Sequence, residues 1–270
     1  MLRFLFLIIF FFNSLNTFSQ NNSINTISWN IRDFGKTKST EELEKIANII
    51  KDVDIVAIQE VVSGYGGAQA VAKLSDILNR KGSKWDYIVS NPTKSSKYMT
   101  ERYAFIWKTK HIKIKNRGSL IKELQDEVER EPLLVDFYID GKRFSIMNYH
   151  SIPHSKNPRT EIKLLTEYII KNSNSPLLLA GDFNISEDDK VFERFISEGY
   201  IPSILNKKTT IKQKCKNGNY LNYSIDNIYY SNDIFKVKSN VIDFVIACEE
   251  ITNARQLSDH LPVYLEFKLN

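Results

Sequence analysis

Cysteine and histidine are scarce in this sequence of 270 residues, which contains two cysteines and four histidines. No Cys/His spacing typical of a structural zinc site is present, so a small zinc-stabilised domain is excluded. The two cysteines, Cys215 and Cys248, allow either one disulfide or two free thiols. Sequence alone leaves both possibilities open.

Glycine motifs that bind nucleotides are also missing. Gly64, Gly66 and Gly67 indicate a flexible turn at residues 62–67, but no Gly-Lys-Ser/Thr follows, which excludes a phosphate-binding P-loop. No Gly-x-Gly-x-x-Gly follows a predicted strand, which argues against a dinucleotide-binding domain. Because Gly-x-Ser-x-Gly is absent as well, the nucleophile elbow of the α/β-hydrolases is excluded.

The longest apolar run covers residues 4–12 and is short for a membrane span. It is about half of the ~20 residues that a spanning helix needs. Arg3 precedes the run and a short polar segment follows it, which is the order of a secretory signal peptide. We therefore expect residues 1–19 to be removed and the mature protein to be secreted or periplasmic. An uncleaved N-terminal anchor is the alternative.

No linker, repeat or change in composition divides residues 20–270, so we expect one domain. The formal net charge of +5 permits a polyanionic partner without requiring one. Lys113, Lys115 and Arg117 would share one face of a predicted strand. The preferred interpretation is a solvated face or a protected sheet edge, and contact with a polyanion is the second. Residues 207–216 hold five lysines. There a disordered solvated loop and a phosphate-binding loop are equally good interpretations.

The most informative stretch begins with the apolar residues 176–180, whose length is typical of a buried strand. Gly181, Asp182, Phe183 and Asn184 follow it. Asp182 and Asn184 lie two residues apart, so in an extended chain they project to the same face, while Phe183 points to the core. Gly181 would let a ligand or another backbone approach closely. Taken alone, this pattern slightly favours a strand that ends in a polar turn over a binding site.

Other predicted strands end in the same kind of chemistry. The polar residues at or beside strand ends are Asn30, Glu60, Glu101, His150, Asp182, Asn184, Asp226, Asp259 and His260. Amide and carboxylate oxygens suit Mg²⁺, Mn²⁺ or Ca²⁺, and histidines beside carboxylates suit general acid–base catalysis. Together they favour metal-dependent hydrolysis of a phosphate ester.

Eight short motifs occur in an order that resembles the endonuclease/exonuclease/phosphatase superfamily, and within it the secreted deoxyribonuclease I branch. They are Trp29-Asn30-Ile31-Arg32-Asp33-Phe34-Gly35, Ile58-Gln59-Glu60-Val61, Glu101-Arg102-Tyr103, Arg130-Glu131-Pro132, His150-Ser151-Ile152-Pro153, Gly181-Asp182-Phe183-Asn184, Asp226-Asn227-Ile228 and Ser258-Asp259-His260. The resemblance implies a four-layer α/β/β/α sandwich of two packed, mainly antiparallel sheets flanked by helices, with the site at one rim.

The resemblance also implies roles for single residues. The implied metal ligands are Asn30, Glu60, Asp259 and Asp182. The implied acid–base pair is His150 and His260, oriented by Glu101 and Asp226, while Asp182 and Asn184 face metal and scissile phosphate. The implied phosphate contacts are Arg130, Asn184 and Tyr98. The implied ion is Mg²⁺, with Mn²⁺ as an alternative and Ca²⁺ as a structural ion.

The activity implied by the resemblance is hydrolysis of DNA phosphodiester bonds by a secreted, metal-dependent endonuclease with little sequence preference. DNA is favoured over RNA as the partner, no stable protein partner is implied, and a monomer is expected. The alternatives are a phosphatase or a sphingomyelinase-like phospholipid phosphodiesterase on the same fold, and then an inactive binding protein. The sequence departs from the branch at Val62, where an arginine is frequent, and at Tyr98, which lies one residue further from Glu101. Neither cysteine adjoins the motif at residues 181–184.

Overall fold

Two β-sheets packed face to face form the centre of the computed structural model, which describes residues 23–173 and 176–270. The predicted signal peptide, residues 1–19, lies outside the described residues. The strands are β1 (Ile24–Phe34), β2 (Ile55–Val62), β3 (Trp85–Val89), β4 (Glu101–Lys108), β5 (Lys113–Ile114), β6 (Ser119–Leu120), β7 (Leu133–Ile139), β8 (Lys142–His150), β9 (Leu177–Asp182), β10 (Tyr200–Pro202), β11 (Ile211–Lys216), β12 (Asn219–Leu221), β13 (Asp226–Ser231), β14 (Ile234–Val241) and β15 (Val263–Leu269).

Helices cover the outer faces of both sheets. The α-helices are α1 (Thr40–Ile50), α2 (Tyr65–Asn79), α3 (Arg159–Asn172), α4 (Glu193–Ser197) and α5 (Ile251–Leu257). Short 3₁₀ turns occupy Lys122–Leu124, His154–Lys156, Lys190–Phe192 and Cys248–Glu250. Within the described part of the chain, none of the helices has the length and apolar character needed to cross a bilayer.

The sheets have matching designs, each with one parallel pair inside an otherwise antiparallel order. The first sheet has the order β14-β15-β1-β2-β4-β3 with β1 and β2 parallel, and the second has β10-β13-β9-β8-β7-β5 with β8 and β9 parallel. A small third sheet pairs β11 with β12. Because the carboxyl ends of parallel strands lie at one edge, both sheets direct polar strand ends to the same rim.

Three apolar layers explain the sandwich. The central layer joins the sheets through ring contacts such as Phe105 with Phe137 (centroids 5.4 Å apart) and Phe144 with Phe267 (5.5 Å). A second layer packs α1 and α2 on the first sheet, and a third packs α3 and α4 on the second. The expected four-layer α/β/β/α sandwich is confirmed.

Local signals in the sequence were accurate where they were strong. The sequence Ser39-Thr40-Glu41-Glu42 predicts a capping box, and Ser39 and Glu42 form one at the start of α1. Asp140-Gly141 predicts a two-residue hairpin turn, and both residues have positive φ (49° and 81°) between β7 and β8.

Other local predictions were wrong in extent. The sequence predicts a strand that ends at Asn30 and a loop over residues 31–35 closed by Gly35, but β1 runs to Phe34. β5 contains only two residues, so Lys115 and Arg117 lie outside the strand that was to carry them. Residues 211–216 form a strand, so the disordered alternative for the lysine-rich stretch is wrong, because pairing with β12 orders it.

Candidate active site

Strand register brings the predicted site residues to one rim. In the first sheet, Asn30 of β1 pairs with Gln59 of β2, immediately before Glu60. In the second sheet, Asp182 of β9 lies between two neighbours, pairing with His150 of β8 on one side and Asp226 of β13 on the other. Packing of the two sheets then places Asn30 against Asp182, with Asn30 Nδ2 donating to Asp182 Oδ2 at 3.0 Å.

The first histidine–carboxylate pair is His150 with Glu101, both buried. His150 Nδ1 lies 3.0 Å from Glu101 Oε2, and His150 Nε2 lies 3.5 Å from Asp182 Oδ2. Burial opposes the charged imidazolium, but the Glu101 and Asp182 carboxylates outweigh it and raise the pKa of His150. The hydroxyl of Tyr103 accepts the His150 backbone N–H at 3.2 Å, which holds the strand end in place.

Arg130 lies behind this pair and is also buried. Its Nε is 3.1 Å from Glu101 Oε2 and donates to the carbonyl of Met99 at 2.9 Å, and its Nη1 donates to the carbonyl of Ser151 at 2.9 Å. Arg130 therefore braces Glu101 and the segment after His150. Its expected phosphate contact remains a prediction.

The second pair is His260 with Asp226. His260 Nδ1 lies 3.0 Å from both Asp226 carboxylate oxygens, and Asp226 Oδ2 accepts the Thr209 hydroxyl at 2.6 Å. Burial opposes protonation, but Asp226, with Asp182 behind it, raises the pKa of His260 to about 10. Among the described residues His260 Nε2 has no hydrogen-bond partner, so this atom is left for a reacting group.

Asp182 lies between the two imidazoles. Its Oδ2 is 3.5 Å from His150 Nε2 and 3.7 Å from His260 Nδ1, and its Oδ1 accepts the backbone N–H of Asn184 at 2.9 Å. Asp182, Asp226 and His260 each offer a ligand atom within 4.8 Å of the others, so this buried cluster could hold a metal ion.

Asn30 and Glu60 form a second group of oxygen ligands beside Asp182. Asn30 Nδ2 donates to Glu60 Oε1 at 2.9 Å, whereas the buried Asn30 Oδ1 has no hydrogen-bond partner among the described residues. A buried, unpartnered amide oxygen next to a carboxylate fits a hard divalent cation, which would supply the missing partner. Glu60 itself has a left-handed backbone (φ 60°), which is uncommon for a residue with a side chain.

Asp259 is not joined to that group. Its Oδ2 lies 3.1 Å from Arg255 Nη2 and 3.7 Å from Arg32 Nη1. No hydrogen bond connects Asp259 to Asn30 or Glu60 within the described chain. Its role as a metal ligand therefore remains a prediction.

Asn184 does not lie where the sequence pattern predicted it. β9 ends at Asp182, and Asn184 adopts a left-handed conformation (φ 52°) with its Nδ2 on the carbonyl of Ser151 at 3.2 Å. The expectation that Asp182 and Asn184 continue one extended face is thus wrong.

Tyr98 is 90% exposed and lines the rim of a cavity of about 360 Å³ together with Glu60 and His150.

Gly181 and Phe183 pack the end of β9 against its surroundings. A Cβ at Gly181 would lie 1.9 Å from the carbonyl oxygen of Tyr149, so the glycine accommodates the neighbouring strand β8. Gly181 was expected to allow close approach of either a ligand or another backbone, and the structure shows another backbone, that of β8. Phe183 is buried as predicted and contacts the rings of Phe192 and Tyr229.

Several residues that sequence reasoning did not assign hold the site together. The Ser258 hydroxyl donates to the carbonyl of Asn30 at 2.6 Å and accepts the backbone N–H of His260 at 3.0 Å. Gln59 Nε2 donates to Asn148 Oδ1 at 2.6 Å and so links the two sheets below the rim. The buried Glu161 carboxylate accepts N–H groups of Glu129 and Ile152. Only Ser258 had a signal, its place beside Asp259 and His260.

Comparisons with known proteins agree with this geometry. The model of the endonuclease/exonuclease/phosphatase family matches residues 27–260. Deoxyribonuclease-1 of Oryctolagus cuniculus is 29% identical over 176 residues, covering 60% of this chain and 61% of the relative, so the match spans about three fifths of that protein.

Solved structures show the same fold. An endonuclease/exonuclease/phosphatase family protein from Bacteroides thetaiotaomicron has a TM-score of 0.65 at 18% identity, covering 92% of this chain and 98% of that one. The mannosyl-6-phosphatase of Bacteroides thetaiotaomicron has a TM-score of 0.63 at 18% identity, covering 90% and 99%. Likeness at such low identity concerns the fold alone.

Proposed function

The chain belongs to the endonuclease/exonuclease/phosphatase family, and from this membership we propose that it is a divalent-metal-dependent endonuclease that hydrolyses DNA phosphodiester bonds with little sequence preference. The observation that carries the proposal is the pair of buried histidine–carboxylate couples, His150 with Glu101 and His260 with Asp226, on either side of Asp182. Two imidazoles at one centre can divide the two proton transfers of a phosphodiester hydrolysis.

Each carboxylate would set the orientation of its imidazole. Glu101 and Asp226 both contact Nδ1, which would leave Nε2 of each ring for proton transfer. One imidazole would take a proton from the attacking water, and the other would give a proton to the leaving oxygen. Asp182 and Asn184 would lie against the phosphate being cut, with Arg130 and Tyr98 as further phosphate contacts.

We assign the metal to the oxygen ligands Asn30, Glu60 and Asp182, with Asp259 as the ligand that the family resemblance adds. Mg²⁺ is the proposed ion, Mn²⁺ is the alternative, and Ca²⁺ is a candidate structural ion. When bound, the cation would neutralise charge on the phosphoryl oxygens. The support is the unpartnered, buried Asn30 Oδ1 beside the Glu60 carboxylate.

The proposed partner is nucleic acid, with DNA favoured over RNA because the curated relative is named deoxyribonuclease-1. We propose that the protein is exported and acts as a monomer. The disulfide between Cys215 and Cys248 supports export, since such bonds persist in oxidising compartments.

A plasmid-nicking assay tests the proposal. Purified protein of residues 20–270 should relax supercoiled plasmid with Mg²⁺ and should be inactive in EDTA. His150→Ala should lose nicking, whereas His111→Ala provides a matched control, because His111 lies on the surface away from the two couples.

Assays of the same purified protein on other phosphate esters discriminate among the alternatives. Intact plasmid with turnover of a phosphomonoester, such as a sugar phosphate, would refute the endonuclease and favour a phosphatase, the activity in the name of one structural neighbour. Turnover of sphingomyelin would favour a phospholipid phosphodiesterase. No turnover of any phosphate ester would favour an inactive binding protein.

A further inference from the structure

The lysine-rich stretch is an ordered arm beside the active site. We define the cationic arm as residues 207–221, which include the antiparallel strands β11 and β12. The side chains of the four exposed lysines of the cationic arm form no ion pair or hydrogen bond within the described chain. They are Lys207, Lys208, Lys214 and Lys216.

The base of the cationic arm is bonded directly to the second histidine couple. Thr209 donates its hydroxyl to Asp226, and Thr210 forms a β-bridge with His260. The backbone N–H of Ile211 donates to the carbonyl of Asp259 at 2.8 Å. The lysines therefore extend from the same backbone that positions His260.

A disulfide and a small apolar cluster hold the arm in one position. Cys215 in β11 is bonded to Cys248, which precedes α5. Ile211 packs in a cluster with Val245 and Leu261 that also includes Tyr220 and Leu221 of the arm. Such anchoring fixes the backbone that carries the lysines relative to the site, without the entropy cost of ordering a free loop on binding.

The other lysine-rich stretch differs in this respect. Lys113 Nζ donates to the carbonyl of Thr109 at 2.6 Å, Lys115 Nζ lies 4.4 Å from the ring centre of Tyr138, and Arg117 donates to the carbonyl of Tyr87. The side chains of these three cations already interact with groups of the protein itself. They fit the solvated sheet edge that the sequence indicated.

We propose that the cationic arm binds the phosphodiester backbone of the nucleic acid strand that extends from the reacting phosphate. The inference rests on the proposed function, since it names how that same site would hold a polymer. Lysine side chains neutralise backbone phosphates without reading sequence, which agrees with low sequence preference. Val62 occupies the position where the family branch frequently has an arginine, so the arm would supply a backbone contact in its place.

The test measures binding rather than turnover. All four arm lysines are replaced by glutamine in a His260→Ala background, and the affinity for a fluorescent duplex of 20 base pairs is measured in EDTA over a range of salt. We expect affinity to fall at least about ten-fold near 0.1 M salt, with the slope of log affinity against log salt shallower by about 0.9 for each lysine in contact. A triple variant, Lys113→Gln with Lys115→Gln and Arg117→Gln, is the matched control and should bind as the parent does.

The outcomes separate the inference from the proposed function. Equal affinity and equal salt slope in the parent and the arm variant would overturn the inference, even if the wild type nicks plasmid. Loss of binding in the arm variant would support it, even if no nicking occurs and the proposed activity fails. Circular dichroism of the arm variant should match the parent, because the four replaced side chains are exposed and form no hydrogen bond or ion pair within the described chain.

Discussion

Replacing Glu101 by glutamine tests the first histidine couple in both stability and activity. Glu101 accepts His150 Nδ1 at 3.0 Å and lies 3.1 Å from Arg130 Nε, and the Glu101 and Arg130 side chains are only 8% and 7% exposed. Glutamine keeps the shape but removes the charge. Its carbonyl oxygen can replace only one of the two carboxylate oxygens, and its amide nitrogen, which can only donate, would stand at the other, which accepts the Glu60 backbone N–H in the wild type.

The expected magnitude follows from this burial. Removing one partner of a buried ion pair costs about 3–5 kcal/mol, because the other charge is left uncompensated. Arg130 also donates to the carbonyls of Met99 and Ser151, so we expect about 3 kcal/mol, the lower end. In a domain of this size that corresponds to a fall in Tm of about 6–12 °C. Loss of the correctly oriented imidazole should lower kcat by about 10²–10⁴-fold.

Urea unfolding and plasmid nicking with Mg²⁺ measure the two effects. Glu167→Gln is the matched control, because Glu167 forms a surface ion pair with Arg194 at 3.3 Å and its loss should change stability by less than about 1 kcal/mol. If Glu101→Gln unfolds as the wild type does and retains full activity, Glu101 does not orient a catalytic His150, and this account of the first couple is wrong.

Three further predictions concern other parts of the site. His260→Ala should abolish turnover and leave the circular dichroism spectrum unchanged, and substantial residual activity would argue against the second couple. Asn30→Ala should raise the Mg²⁺ concentration for half-maximal activity at least about ten-fold. The substitution removes the unpartnered Oδ1 and the hydrogen bonds from Asn30 Nδ2 to Glu60 and Asp182. An unchanged Mg²⁺ titration would place the ion elsewhere. Glu161→Gln should cost about 1–3 kcal/mol, since its carboxylate accepts buried donors on two loops, whereas wild-type stability in urea would show that those donors find other partners.

Much of the site chemistry could be predicted because strand ends are marked locally. The polar residues that the sequence places at strand ends include Asp182 and His150, and β9 and β8 end at these two residues. The resemblance added which polar residues belong together. Such signals depend on neighbouring residues in the chain, so they survive without knowledge of the fold.

Partners could not be predicted where they come from distant segments or irregular backbone. Thr209 lies in a lysine-rich stretch with no pattern of its own, yet it donates to Asp226, 17 residues away. Asn184 has left the extended conformation two residues after the end of β9, so the period-two argument fails for it. Asp259 faces Arg255 and Arg32, a choice that motif order does not contain.

The residue types at the strand ends, the start of α1 and the apolar faces that must be buried can all be recognised in the sequence, because they follow from local periodicity and capping. Only the tertiary structure decided that His150 meets Glu101 across 49 residues, that His260 meets Asp226 across 34, and that Asp182 lies between them. It also decided that the two cysteines pair and that the lysine-rich stretch becomes an arm beside the site. The physical reason is that these distances are set by packing of one sheet on the other, and no local pattern encodes that packing.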